Sequence, residues 1–441
     1  MPRPETSHTG EALAWLDSHV NLEVHGAPPG RRGSAPTLER IQALLDLLGS
    51  PQIEYPTIHC TGTNGKTSVV RIATSLLAAS GLSVGTYTSP HLERVNERLA
   101  WNGEPISDAD LAELLTLLAD VEANLADRAS YFELLTAAAL RWFADVAVEV
   151  GVVEVGMAGT WDATNVVRGE VGVVTNVSID HVEFLGSDRR GIAEEKAGIV
   201  KPGSILVLGE TDSELAPVFA DRGQRHTLVR DVDFGVSENR LAHGGRMLGL
   251  YTSEASYDNL FLSLHGAHQA DNAAIALAAT EAFLGRALDA ELVADVMGSA
   301  TAPGRLETVA HQPLVVLDGA HNVAGAHALR AALAEEFPDA PRTLIVGLLR
   351  EKEPHEMLVA LDAANATRVV VCPPPSPRAL EPDVVADAGR DLGIEEIVVS
   401  EDVADALARA RDLTPIDGQI VVTGSLYLVG LARSLLRQVA S

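Results

Sequence analysis

The chain has 441 residues, 46% of them hydrophobic and 21% charged, with a formal net charge of −28. Such a length exceeds one ordinary core and predicts two or three domains, while the acidity excludes the basic footprint of nucleic-acid or anionic-membrane binding. Small-molecule partners and a monomer are expected. No apolar run approaches the roughly 20 residues of a bilayer span, and the polar start "MPRPETSHTG" has no signal-peptide core, so a cytoplasmic protein is expected. Cys60 and Cys372 each end an apolar run, far apart in sequence, and read as small buried residues rather than a disulfide or metal pair.

In chain order, residues 11–20 and 37–49 show helical spacing around the Gly/Pro-rich "HGAPPGRRGSAP", a predicted loop. An extended "YPTIHC" then meets "TGTNGKTS" and the helical "VVRIATSLLAASG". A glycine turn between strand and helix aims backbone N–H groups and the positive end of a helix dipole at one spot, where phosphate binds well. It is not a strict Walker A, because Cys60 stands where the first glycine belongs and Gly62 must supply the turn. In that geometry Lys66 reaches the β and γ phosphates, and the Thr67 hydroxyl lies where Mg²⁺ is usually held.

Strand-like "LSVGTYT", a helical run over 108–144, then "VGVVEVG", "VGVVTNVS" and "SILVLGE" follow. Alternation of this kind predicts a mostly parallel sheet covered by helices. Small residues and a proline near 297–307 interrupt it, and a second alternating series runs from "PLVVLDGAHN" to "QIVVTGSLYLVG". The expected division is therefore 1–298, an ATP-binding phosphate-loop domain, and 299–441, a second α/β domain of Rossmann-like type.

Ser89, Glu154 and His181 stand at or near the ends of separate predicted strands. In a parallel sheet those ends share the rim on which a phosphate loop lies, so the three could meet the Mg²⁺ of a nucleotide. Taken singly, Ser89 could cap a turn, Glu154 could be a buried paired carboxylate and His181 a satisfied histidine. Because Mg²⁺ prefers oxygen, His181 is the weakest of the set on residue type alone. Lys196 sits beside two glutamates, where a solvated charge is the plain alternative. Asp318 and His321 follow a strand directly, and Arg305 near the domain junction could clamp a phosphate or serve as a linker salt bridge.

"GTNGKTS", "TSPHLERVNER", "SYFELLTA", "VVEVGMAGTWDATNV", "DHVEFLG", "EKAGIVKPG", "APGRLE", "LDGAHN" and "VVTGSLYL" occur in the order and spacing of one family. On these nine segments the chain resembles the folylpolyglutamate synthase and dihydrofolate synthase family of the Mur ligase superfamily, over nearly its whole length. The resemblance implies a Mur-ligase-type ATPase domain followed by the second α/β domain, and an ATP-dependent amide ligase. Such an enzyme phosphorylates a pteroate or folate carboxylate and lets the amine of L-glutamate attack the acyl phosphate. Dihydrofolate synthesis, polyglutamate extension and both together stay open.

Carried over by motif, Gly62, Asn64, Gly65, Lys66, Thr67 and Ser68 would bind ATP, with Asn272 at the adenine, Arg305 at the phosphates and Asp318 at the nucleotide. Ser89, Glu154 and His181 would hold Mg²⁺. Lys66, Lys196 and His321 would act in catalysis, Lys196 as a CO₂-derived carbamate, and a monovalent cation is a further candidate cofactor. Ser130, Tyr131, Phe132 and Glu133 match the segment that contacts dihydropteroate, where an aromatic can stack and a carboxylate can accept from ring donors. The plain alternative there is a core aromatic at a helix start.

Three positions depart from the family pattern. Thr67 stands where many members have glycine, Ala158 where glycine is usual, and Val323 where proline is usual. A UDP-muramoyl-peptide ligase would share the chemistry, but it carries a further domain ahead of the loop, and only 61 residues precede Gly62. A nucleotide-driven regulatory protein would be expected to have lost the partner residues named above.

Overall fold

The computed structural model describes residues 5–25, 37–180, 182–337 and 340–440. The Gly/Pro-rich stretch 26–36 and His181 lie outside them. The chain forms two compact units. One holds the described residues up to Arg240 with Met247–Leu262 and Gln269–Ala300; the other holds Leu241–Arg246, Ser263–His268 and the described residues from Thr301 onward.

Short runs of Val, Ile and Leu bounded by glycine or polar residues make the strands of the first unit: β1 (Thr57–Thr61), β2 (Val84–Tyr87), β3 (Leu99–Trp101), β4 (Glu104–Pro105), β5 (Val150–Glu154), β6 (Val171–Val174), β7 (Ile205–Leu208) and β8 (His226–Val229). They form one sheet in the order β4-β3-β2-β5-β1-β6-β7-β8. From β2 to β8 every pairing is parallel, and β3 and β4 add antiparallel at one edge. Every residue of β1, β5 and β6 is buried, as strands covered on both faces require. Putting β1 at the centre sets its carboxyl end between those of β5 and β6, the position from which a loop can be gripped from both sides.

The run 108–144 is two helices rather than one, Asp108–Glu122 and Tyr131–Asp145. The break has a side-chain cause. Glu122 accepts the Ala129 N–H at 2.9 Å, and Ser130 and Glu133 close a capping box, with Ser130 N–H donating to Glu133 at 2.7 Å. Residues 235–262 hold a further three-stranded sheet of β9 (Gly235–Ala242), β10 (Gly245–Tyr251) and β11 (Ser256–Leu262), in the order β11-β10-β9.

The second unit has its own sheet of β12 (Glu307–His311), β13 (Leu314–Leu317), β14 (Arg342–Val346), β15 (Arg368–Val371), β16 (Ile397–Val399) and β17 (Gln419–Thr423), in the order β12-β13-β17-β14-β15-β16. Only β12 runs antiparallel to its neighbour. Among the described residues no helix is long and apolar enough to cross a membrane. Both cysteines are free and buried, Cys60 in the first sheet and Cys372 just beyond β15.

Candidate active site

The phosphate-loop turn follows β1 directly. Gly62 has a φ of 153° and Gly65 a φ of 84°, backbone that residues with a side chain adopt at a cost. Space excludes a side chain as well: a Cβ at Gly62 would lie 1.7 Å from Thr175 Oγ1, and one at Gly65 2.3 Å from Asn272 Oδ1. Gly65 is the N-cap of the helix Lys66–Ala79, and no side chain caps that helix. Its positive end is thus left for an anion.

The residues after β6 hold this loop in place. Asn176 Oδ1 accepts the Asn64 N–H and its Nδ2 donates to the Asn64 carbonyl, both at 3.0 Å. Thr175 Oγ1 donates to the same carbonyl at 2.6 Å, and the Thr63 N–H donates to the Asn176 carbonyl at 3.0 Å. Thr63 Oγ1 and Ser178 exchange two more bonds of 3.0 and 2.9 Å. Lys66 curls back over the loop, its Nζ donating to the carbonyls of Gly62 at 3.0 Å and Thr63 at 3.3 Å.

Glu154 ends β5, in register with Cys60 of β1, which brings its carboxylate to the loop. Thr67 Oγ1 lies 3.0 and 3.1 Å from its two oxygens. A hydroxyl beside a buried carboxylate is an oxygen donor set that suits Mg²⁺. Ser89, also buried, lies just beyond β2, the neighbour of β5, and Ser68 is buried in the first helical turn. Among the described residues no three His, Cys, Asp or Glu gather as a metal cluster.

Lys196 lies in the last turn of the helix Arg189–Ala197 and shares a pocket with Gly62, Lys66, Met157, Ala158 and Asp180. The side chain is 4% exposed. Burial, reinforced by the nearby Lys66 charge, pushes its amine down to about 7 from the ordinary 10.5. A large share of it is therefore a neutral nucleophile near neutral pH.

The four pteroate candidates divide by role. Both Glu133 oxygens accept from Arg40 Nε, at 3.0 and 2.8 Å, while Ser130 and Glu133 bind each other in the helix cap. Tyr131 is buried with the Arg98 guanidinium 5.6 Å from its ring centre. Phe132 is half-buried and lies over Gly156, where a Cβ would come 2.4 Å from its ring. Of the four, Phe132 reaches the strand-end loop that also carries the pocket residues.

The second unit has its own strand-end cluster. Asp318, just past β13, accepts the N–H groups of Leu306 and Ala320, each at 2.9 Å. Burial raises its carboxyl, against the lowering pull of Arg305. Arg305 Nη1 lies 2.6 Å from where a Gly319 Cβ would be, so glycine is what lets the guanidinium approach the chain. His321 Nδ1 is 2.8 Å from the Gly319 carbonyl, and Asn322 caps the helix Val323–Glu336 by accepting the Gly325 N–H at 2.8 Å.

Comparison with known proteins agrees over both units. The Mur ligase middle domain matches residues 60–280 and the Mur ligase glutamate ligase domain residues 304–426. A dihydrofolate synthase/folylpolyglutamate synthase of Mycobacterium tuberculosis is 40% identical over 438 residues, 91% of this chain and 90% of the relative. The chain belongs to the folylpolyglutamate synthase/dihydrofolate synthase family of Mur ligases. A structure of the Mycobacterium tuberculosis folylpolyglutamate synthase complexed with ADP has a TM-score of 0.90 at 38% identity, covering 98% of this chain and 99% of its own. The Escherichia coli FolC structure in complex with DHPP and ADP has a TM-score of 0.85 at 27% identity and covers all of both chains.

Within this family fold, several polar residues of the site carry no signal that motif reading separated out. Thr175 and Asn176, the grips on the loop, sit inside "VVTNVS" and looked like the end of a strand. Asp162 is buried, accepts the Met157 N–H at 2.8 Å, and takes a hydrogen bond from Thr164, whose Oγ1 lies 2.9 Å from His59 Nε2. The signal that could have found Asp162 and Thr164 is density: a short loop, "GMAGTWDATN", that carries polar side chains and follows a fully buried strand.

Proposed function

We propose that this enzyme joins L-glutamate by an amide bond to the carboxylate of dihydropteroate, of folates, or of both, at the expense of ATP. A carboxylate oxygen attacks the γ phosphorus, the bond to the β-phosphate oxygen breaks, and ADP leaves an acyl phosphate. The neutral glutamate amine then adds to the acyl carbon, gives up its proton, and the tetrahedral intermediate collapses with loss of phosphate. The observation that carries this reading is an uncapped helix start next to Lys66 and a Thr67–Glu154 oxygen pair.

Gly62, Asn64, Gly65 and Ser68 form the phosphate cradle, and Lys66 moves from the loop carbonyls onto the β and γ phosphates to offset charge as it develops. Asn272 sits against Gly65 and is a nucleotide-binding residue of the first unit; Arg305 and Asp318 are nucleotide-binding residues of the second. Thr67, Ser89, Glu154 and His181 hold Mg²⁺, which supplies positive charge at the transferred phosphoryl group. Lys196 takes up carbon dioxide as a carbamate: its neutral nitrogen bonds to the carbon and releases one proton, turning a buried cation into an oxygen donor. Its burial and lowered amine fit that chemistry. A monovalent cation would add to the same anionic site. Phe132 stacks on the pteroate, and His321 serves the acyl-transfer step. The enzyme works as a cytoplasmic monomer.

The test is release of ADP and phosphate with ATP, Mg²⁺ and L-glutamate, with dihydropteroate or tetrahydrofolate as acceptor, read by mass spectrometry. A gain of one glutamate residue on dihydropteroate gives the synthase activity, and a gain on tetrahydrofolate gives extension. ATP binding without turnover on either acceptor refutes the ligase.

A further inference from the structure

The helix that carries Lys196 ends against the loop after β5, and the contact is unusually close. A Cβ at Gly159 would lie 2.4 Å from the Glu195 carbonyl oxygen, and one at Gly198 would lie 2.1 Å from Thr160 Oγ1. Both the Thr160 N–H, at 3.0 Å, and Thr160 Oγ1, at 3.2 Å, donate to the Glu195 carbonyl. That carbonyl belongs to the last turn of the helix and also accepts the Gly198 N–H at 3.2 Å. The loop adds two further donors to it, and in doing so ties the residue just before Lys196 to the strand-end loop.

Asn165 ties this contact together from beneath. Its Nδ2 donates to the Thr160 carbonyl at 3.0 Å on the loop and to the Gly198 carbonyl at 3.2 Å beyond the helix. Its own carbonyl and Oδ1 accept from Lys201 Nζ at 2.8 and 2.7 Å. One buried carboxamide therefore bridges the two segments on either side of Lys196, with Lys201 fixing which way the amide faces. An asparagine suits this place because two carbonyls and an ammonium face it, needing two donors and an acceptor on one short side chain.

We infer that Asn165 is a positioning residue for Lys196: it locks the end of the Lys196 helix to the Gly159–Thr160 loop and so holds the lysine nitrogen at the phosphate-loop pocket. It touches no reacting atom, and it acts through Thr160 and Gly198. The inference rests on the role proposed for Lys196. Asn165→Asp keeps the acceptor for Lys201 but loses both donors, and sets a carboxylate against two carbonyls.

The test uses the full chain. For Asn165→Asp, kcat is expected to fall at least tenfold, with the thermal midpoint within a few degrees of wild type and ADP affinity within twofold. The bicarbonate concentration giving half-maximal turnover should rise, and the ¹³C carbamate resonance seen with labelled bicarbonate, absent in Lys196→Ala, should weaken. Thr160→Ala should repeat the effect and Thr160→Ser should restore most of kcat, which decides the matter even if the Asn165 variant folds poorly. Unchanged kcat in a folded Asn165→Asp, or equal losses in the two Thr160 variants, overturns the inference. If wild type shows neither a carbamate resonance nor any response to bicarbonate, the carbamate reading fails. A loss of kcat with intact ADP binding then still upholds the positioning role.

Discussion

Two strand-to-helix turns can be set side by side: Gly62–Lys66 after β1 and Asp318–Asn322 after β13. Both leave the carboxyl end of a buried parallel strand, where ligands gather in such sheets. They spend their polar groups differently. The first is a glycine turn whose helix has no side-chain cap, and it is held by hydrogen bonds to Thr175 and Asn176 just after β6. The second spends its side chains on backbone groups: Asp318 accepts the N–H groups of Leu306 and Ala320, and Asn322 caps its own helix. The same topology thus gives one turn shaped as an anion cradle and one whose side chains are fixed by the backbone groups they bind.

The largest difference should appear on removing one charge or carboxylate from each turn. Lys66→Ala is expected to lower kcat on the order of 10²–10³-fold, since it removes a preorganised cation from developing phosphoryl charge, while leaving the unfolding midpoint in urea nearly unchanged. Asp318→Ala, besides weakening nucleotide binding, should destabilise the protein by about 1–3 kcal/mol, because the Leu306 and Ala320 N–H groups lose their buried acceptor. Urea unfolding followed beside steady-state kinetics checks both, and a Lys66→Ala variant that unfolds early would break the contrast.

A pH profile sharpens it further. The Lys196 amine, near 7 when folded against an ordinary 10.5, is neutral above pH about 7. Bicarbonate-dependent turnover should therefore rise as the pH passes upward through 7. The stability term has a defined sign: unfolding takes up a proton between pH about 7 and 10.5, so this group lets stability increase with pH across that window. Lys196→Met should flatten both trends, and a profile unchanged by that substitution would sink the assignment.

The smallest effects come from the positions where family glycine and proline are replaced. Ala158 adopts a φ of 63°, so Ala158→Gly should relieve left-handed strain and gain about 0.5–1 kcal/mol. Val323 is the first helical residue after the Asn322 cap, where proline is favoured, so Val323→Pro should gain about 0.4–1 kcal/mol. Thermal melts of each variant decide, and a loss of stability at either position would show that its surroundings have adapted to the present residue.

The alternating α/β pattern, the phosphate loop and the strand-end position of Glu154 were legible because each is a local signal: an apolar run, a glycine turn, a polar residue at its boundary. The run 108–144 misled because its apolar spacing continues in kind across Asn124–Ala129, and only the Ser130–Glu133 cap and the Glu122 contact split it. The sheet of β9, β10 and β11 escaped because β9 and β11 are rich in polar, exposed residues and carry no continuous apolar run. Thr175, Asn176 and Asn165 escaped for a different reason. Apart from the Asn165–Thr160 bond, their side-chain partners lie 33 to 112 positions away in sequence, and no local pattern encodes a pairing at that range.

The two cysteines carry a practical consequence. Burial pushes the Cys372 thiol up to about 12 and the Cys60 thiol further, so neither offers a thiolate to solvent at neutral pH. A single cysteine introduced on the surface would then be the one residue that takes a maleimide dye, and the native enzyme could be labelled site by site with no background to remove.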